Sequence, residues 1–212
     1  MNIFRFLGDL AHLVLIFLLI HTIEKNKSAN GLSLKTQVLY MIVYITRYTD
    51  LFTKFYSVYN TLMKITFLVS QAYIIFLIAK KYIKNTKIEV DTFPIRYLFA
   101  AAALFALIFT QKYTVGGIVW SFSLWLELVA IIPQLYILQR TGEAENITSH
   151  YIAALGIYRA LYIPNWIWRY LVEGKFNYVS VLLGVVQTLV YTDFFYIYWQ
   201  KVLKGKKFLL PV

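Results

Sequence analysis

Apolar residues run along this chain in long blocks, and most polar residues are confined to the short stretches between them. A helix needs about 20 residues to cross a hydrocarbon layer. Seven blocks meet or approach that length: 4–23, 34–53, 59–79, 95–110, 118–138, 148–170 and 178–202, the fourth being the shortest. Helix breakers mark connections between them, at Asn30-Gly31, Gly116-Gly117, Thr141-Gly142 and Glu173-Gly174. The pattern predicts an all-α membrane protein of seven transmembrane helices, a single domain over 1–212 with 201–212 as a short tail. Arg5, Asp9 and His12 lie inside the first block. A removable leader carries its charge before an uncharged apolar run, so this block reads as a permanent span.

Lysine and arginine orient the helices. Thirteen of them (Lys25, Lys27, Lys35, Lys80, Lys81, Lys84, Lys87, Arg96, Arg140, Lys201, Lys204, Lys206 and Lys207) fall on one side, seven fall on the other, and Arg159 sits in mid-span. Positive residues concentrate on the cytosolic side, which predicts a lumenal N-terminus and a cytosolic C-terminus. The sequons at Asn26 and Asn146 are then cytosolic and expected to stay unglycosylated. A hydrophobic fraction of 60% and a charged fraction of 15% exclude an ordinary soluble domain. The net charge of +11 reads as cytosolic loops plus an anion-binding cavity among membrane lipids, with no nucleic acid partner. Without cysteine there is no disulfide or thiolate chemistry. No zinc-protease, phosphate-loop, dinucleotide or nucleophile-elbow pattern occurs, so no cofactor, metal or enzymatic activity is expected.

The arginines are the strongest chemical signal. Arg5, Arg47, Arg159 and Arg169 lie within or at the ends of spans, where a charge is costly, ~2.5–3.5 kcal/mol at the bilayer centre on insertion scales. Guanidinium groups grip carboxylates through paired hydrogen bonds. Arg5, Arg47 and Arg169 fall toward the lumenal side and are expected to converge on an anionic ligand from spans one, two and six. Each could instead neutralise a carboxylate; for Arg159 the expected partner is Asp193. His12 lies at a depth comparable with Glu127, and a carboxylate beside a buried imidazole makes it a candidate proton sensor. Tyr158 could hydrogen-bond Glu127. Asp50 follows Arg47 by three residues and could pair with it along the helix. Trp120 and Trp166 could wall a peptide site.

Two further signs point to architecture. Thr46-Arg47-Tyr48 in the second span echoes Tyr158-Arg159-Ala160 in the sixth, as a 3+1+3 arrangement of two parallel repeats requires. Pro133-Gln134 fits a PQ-loop motif.

Longer segments carry a resemblance to a known family. They are Met1-Asn2-Ile3-Phe4-Arg5 with Gly8-Asp9 and His12, Thr46-Arg47-Tyr48 with Asp50-Leu51-Phe52, and Tyr59-Asn60 with Met63-Lys64. Trp120-Ser121-Phe122-Ser123, Leu126-Glu127 and Pro133-Gln134-Leu135 follow, and then Tyr158-Arg159-Ala160-Leu161-Tyr162, Asn165-Trp166-Ile167-Trp168-Arg169-Tyr170, Asp193-Phe194-Phe195-Tyr196 and the tail from Lys201 to Lys207. Over its whole length the chain resembles the KDEL receptors, the ER-lumen-protein retaining receptors. That resemblance implies a SWEET-like seven-helix receptor cycling between Golgi and ER, which binds C-terminal Lys-Asp-Glu-Leu or His-Asp-Glu-Leu tails in the acidic Golgi and releases them at the neutral pH of the ER. It implies that Arg47 and Tyr48 take the ligand's terminal carboxylate, and that Arg5 and Arg169, with Trp166 nearby, take its acidic side chains. Tyr162 and Asn165 join the ligand-binding set, and Asp50 and Trp120 face the basic residue fourth from the ligand's end. It further implies His12 as proton sensor with Glu127 and Tyr158 as lock, Arg159 and Asp193 as coupling residues, and Lys204, Lys206 and Lys207 as the signal read by the COPI coat.

The chain departs from the family pattern at Gly117, where many relatives have glutamate, at Lys54, where many have a small residue, in its Phe208-Leu209-Leu210 tail and in lacking cysteine. Lys54, four residues after Asp50, is expected to pair with it if the helix continues. The competing reading is a small-solute transporter of the SWEET or PQ-loop class, against which the clustered arginines stand.

Overall fold

The computed structural model describes residues 2–141, 146–174 and 177–198, with side chains throughout except at 88, 139–141, 146–153 and 192–198. Every long apolar block is helical, and no strand occurs among the described residues. The helices are α1 (Ile3–Asn26), α2 (Leu34–Arg47), α3 (Val58–Phe76), α4 (Arg96–Ile108), α5 (Val115–Val129), α6 (Ile132–Thr141), α7 (Asn146–Glu173) and α8 (Tyr178–Tyr198).

Two expected boundaries are corrected. The fifth apolar block is interrupted between α5 and α6. Pro133 explains this: it has no N–H, and its ring clashes with the carbonyl four residues back, that of Val129, where α5 ends. The second block stops early, at Arg47, and continues as a 3-10 turn over Thr49–Phe52. Helix starts follow local chemistry. Ser33, Ser57 and Thr114 cap α2, α3 and α5, each hydroxyl accepting from an N–H three residues on, as N-cap side chains do. α3 ends in a π turn over Leu77–Lys81, closed by the Tyr82 N–H donating to the Leu77 carbonyl at 2.9 Å.

Three stretches are long and apolar enough to cross a membrane: Ile3–Asn26, Val58–Lys81 and Val115–Leu138; Arg96–Ile108 and Tyr178–Tyr191 are shorter apolar helices. The burial pattern suits lipid rather than water. Large apolar side chains such as Phe17, Leu18, Val69, Leu182 and Leu189 are exposed, whereas Gln37, Ser123 and Gln134 are fully buried. Buried amides require partners, and these tie helices together. Gln71 donates to the Gln37 side chain and carbonyl, both at 2.9 Å, joining α3 to α2. Gln134 accepts from the Ser33 N–H at 2.8 Å and donates to the Gly31 carbonyl at 2.7 Å. The PQ motif thus both breaks a helix and pins its second half to the start of α2.

The chain divides into two compact units, Met1–Thr22 with Leu138–Val212, and Ile23–Ile137. In the first, α7 packs on α8 and on the N-terminal part of α1. In the second, α2 packs on α3 and α5, and α4 on α5.

Candidate functional site

In the second unit the candidates gather at the end of α2. Arg47 is its last residue, where a cation complements the helix dipole. Its Nη1 donates to Glu127 Oε2 at 2.5 Å, its Nε to Ser123 Oγ at 3.1 Å and its Nη2 to the Ser123 carbonyl at 3.0 Å. Ser123 and Glu127 are one turn apart on α5, so a single helix face offers both acceptors. The Ser123 hydroxyl donates to the Trp120 carbonyl at 2.6 Å, which orients it. The Glu127 carboxylate is held by Arg47.

Tyr48, the residue after α2, stacks on Tyr44 with ring centroids 5.8 Å apart. The helix does not carry on past it, and this corrects both readings of Asp50. Its carboxylate pairs with neither Arg47 nor Lys54 but accepts from Lys64 Nζ of α3 at 2.8 and 2.7 Å. The Lys64 ammonium also lies 5.6 Å from the ring centroids of both Tyr48 and Tyr56, a cation–π setting. Lys54 reaches Asp50 only through its backbone N–H, bonded to the Asp50 carbonyl at 2.8 Å. Gly117 is the third residue of α5, and a Cβ there would overlap the Lys112 carbonyl oxygen. Glutamate at that position therefore requires a different path for the preceding loop.

In the first unit the candidates line facing surfaces of α1 and α7. Arg5, Asp9 and His12 are spaced as one face of a helix, and so are Tyr158, Tyr162, Asn165, Trp166 and Arg169. Asn2 donates to Asn165 Oδ1 at 2.8 Å and accepts from the Arg5 N–H at 2.9 Å. Tyr162 donates its hydroxyl to Asp9 Oδ1 at 2.5 Å. Its ring lies against Gly8, where a Cβ would come within 3.1 Å of Cε2. His12 stacks on Tyr158, centroids 4.3 Å apart and planes at 4°. The Arg159 guanidinium carbon is 5.5 Å from the same Tyr158 ring. The Trp166 ring fills a notch at Gly184 of α8, where any Cβ would overlap it.

Arg5 and Arg169 differ from Arg47. Their side chains are 43% and 41% exposed, and the ion pairs they make are with acids one turn along their own helices, Asp9 at 3.8 Å and Glu173 at 3.2 Å. Arg47 is 20% exposed. The side chain of Asp193 and all of Lys204, Lys206 and Lys207 lie outside the described residues. Sequence reasoning missed Lys64 as the partner of Asp50 and Ser123 as a partner of Arg47. It also missed Gly8 and Gly184. Glycine inside a long helix costs ~1 kcal/mol relative to alanine, and that cost was the available signal that another side chain needs the space. Among the described residues no group of His, Cys, Asp and Glu could hold a metal ion.

A sequence model of one family, described as ER lumen protein retaining receptor, matches residues 28–169. Relatives named ER lumen protein-retaining receptor cover nearly all of the chain. The one from Kluyveromyces lactis is 54% identical over 209 residues, spanning 96% of this chain and 95% of the relative. Those from Saccharomyces cerevisiae and Drosophila melanogaster are 51% and 49% identical, each over the full length of both chains.

Proposed function

This chain belongs to the family of ER lumen protein-retaining receptors, and we propose that it retrieves escaped lumenal proteins by binding their C-terminal Lys-Asp-Glu-Leu or His-Asp-Glu-Leu tails, tightly at acidic pH and weakly at neutral pH. It is a receptor and not an enzyme. The observation that carries the tail-binding reading is the pair of half-exposed guanidiniums, Arg5 and Arg169, held only loosely along their own helices. Two such groups suit two acidic side chains and do not suit a neutral solute.

Within this reading Arg47, with Tyr48, takes the terminal carboxylate of the tail. Glu127 now occupies that guanidinium, so the ligand carboxylate replaces the receptor's own. Exchange leaves Glu127 without its cation, and uptake of a proton relieves the loss. Binding then consumes a proton and tightens as pH falls. His12, stacked on Tyr158, is the second proton-accepting group, with Tyr158 and Glu127 as the lock. Tyr162, Asn165 and Trp166 support the ligand-facing side of α7, Asp50 and Trp120 meet the residue fourth from the ligand's end, and Arg159 and Asp193 couple binding to transport.

The proposed architecture is seven spans in a 3+1+3 arrangement, with a lumenal N-terminus, a cytosolic C-terminus and tail lysines Lys204, Lys206 and Lys207 read by COPI in a cycle between ER and Golgi. The span count is supported by the eight described α-helices, α5 and α6 sharing one apolar block, and by three stretches long and apolar enough to cross a membrane. The repeat grouping rests on the sequence echo and the family resemblance, since compactness groups the helices otherwise.

A binding titration of the purified receptor with a Lys-Asp-Glu-Leu-ended peptide at acidic and neutral pH tests the reading. The expected result is saturable acidic binding that a C-terminally amidated peptide does not show. Equal binding of the amidated peptide would overturn it.

A further inference from the structure

A second charged surface lies away from these residues, within the second unit. The segment leaving α1 and the segment leaving α3 are stitched together by four hydrogen bonds. The Ser28 hydroxyl donates to the Asn85 carbonyl at 2.8 Å, and Asn85 Nδ2 donates to the Lys27 carbonyl at 3.0 Å. The Ala29 N–H donates to Thr86 Oγ1 at 3.1 Å, and the Lys87 N–H to Asn30 Oδ1 at 2.9 Å. Lys27 adopts φ +50°, an uncommon left-handed conformation for a side-chain-bearing residue, and this turns the first segment back toward the second. The π turn does the same for the second segment, ending α3 at Lys81.

The stitched segments carry Lys25, Lys27, Lys80, Lys84 and Lys87, all exposed and none in a described ion pair. Two acids share the region. Glu24 is saturated by Lys81 Nζ and by the hydroxyls of Tyr73 and Tyr82, all within 2.7 Å. Glu89 is exposed at the far edge. The surface therefore keeps a net positive charge that its own carboxylates do not cancel. Phe76 and Ile83 are exposed among the lysines. A platform with lysines and bare apolar side chains, at the ends of two helices apolar and long enough to cross a bilayer, fits a head-group layer better than a soluble partner.

We infer that this stitched lysine platform is a binding site for phosphorylated anionic lipid head groups. The inference does not depend on the tail-binding reading; it takes the platform to face the cytosolic leaflet, where anionic phosphorylated lipids concentrate, the side to which the lysine count assigns it.

The test uses full-length receptor in detergent and a water-soluble dioctanoyl phosphoinositide monophosphate. Dioctanoyl phosphatidylcholine, the isolated inositol phosphate head group and inorganic phosphate form the other arms. Wild type is expected to prefer the phosphoinositide over phosphatidylcholine by at least about tenfold, in line with several lysines acting together. Replacing Lys25, Lys27, Lys80, Lys84 and Lys87 with Gln should abolish that preference while peptide binding is kept. A second variant, Ser28→Ala with Asn30→Ala and Asn85→Ala, retains every lysine and should weaken lipid binding about threefold if the stitching organises the site. The single Lys84→Glu variant keeps the test open if the fivefold variant does not fold; it too should weaken phosphoinositide binding. Equal binding of phosphatidylcholine, or unchanged phosphoinositide binding in the lysine variants, overturns the inference. Inorganic phosphate or the free head group binding as tightly as the lipid overturns the lipid as its source. Loss of purified coat binding in the lysine variants, with lipid binding unchanged, reassigns the surface to a protein partner.

Discussion

Arg47 and the pair Arg5 and Arg169 are the same residue type on the same kind of helix, yet the two units treat them differently. In the second unit Arg47 directs three hydrogen bonds at one face of α5 and is mostly buried. In the first unit Arg5 and Arg169 stay half exposed, each beside an acid on its own helix. A buried ion pair recovers its desolvation cost only when both partners remain. Arg47 is therefore part of what holds its unit together, and under the proposed tail-binding reading a ligand competes with Glu127 for it. Half-exposed pairs such as those of Arg5 and Arg169 contribute little to stability as a class, and under the proposed tail-binding reading these two guanidiniums are the accessible ones.

The largest effect expected from this contrast is on stability. Arg47→Ala strands the Glu127 carboxylate and should cost ~3–5 kcal/mol, read as a lower unfolding temperature in detergent. Arg47→Met with Glu127→Leu should recover most of that loss without restoring peptide binding. If Arg47→Ala unfolds like wild type, the two classes of arginine are not distinct.

Next in size is affinity. Arg5→Ala or Arg169→Ala should leave stability within ~0.5 kcal/mol. Each should weaken binding of an Asp-Glu-Leu-ended peptide by at least tenfold, ~1.4 kcal/mol, in a titration at acidic pH. A large stability loss with unchanged affinity would reverse the roles given to the two units.

Proton linkage sharpens the comparison, because each unit offers one candidate group. One proton taken up on binding gives at most about a tenfold gain in affinity per unit fall in pH. His12→Ala removes the candidate of the first unit and Glu127→Gln that of the second. The variant whose peptide affinity no longer rises as pH falls identifies the sensor. Retention of the full response by both would exclude the pair.

The smallest effect concerns the head of the ligand. Asp50 is neutralised by Lys64 rather than by Lys54, and partly exposed pairs of this kind contribute ~0.2–1 kcal/mol. Lys64→Met should therefore shift competition toward a Lys-headed Asp-Glu-Leu peptide by roughly twofold to fivefold, corresponding to that energy. Lys54→Ser should leave the ranking of Lys-, His-, Ala- and Asp-headed peptides unchanged. A shift with Lys54→Ser alone would contradict the observed pairing.

Helix positions were legible because apolar block length translates into helix, and the described helices fall within or close to the predicted blocks apart from the early end of α2 and the break between α5 and α6. The split at Ala130-Ile131 was legible in principle, since Pro133 cannot donate to the ladder, but it was read as a motif and not as a break. The face relationships on α1 and α7 also follow from spacing alone. Asp9 and His12 follow Arg5 by one and two turns, and α7 repeats the pattern from Tyr158 to Arg169.

Partner choice was not legible. Arg47 had Asp50 three residues away and took Glu127, 80 residues away. Asp50 had Lys54 nearby and took Lys64. The local pairs failed because α2 ends at Arg47 and the chain turns through a 3-10 segment, which destroys the helical spacing that would have brought those side chains together. Periodicity along one helix is a local property, and sequence by itself determined the helical class, the polar faces of the helices and the family. Which guanidinium is sealed by a carboxylate and which is left open depends on the neighbouring helix and its register, and only the tertiary structure decided that.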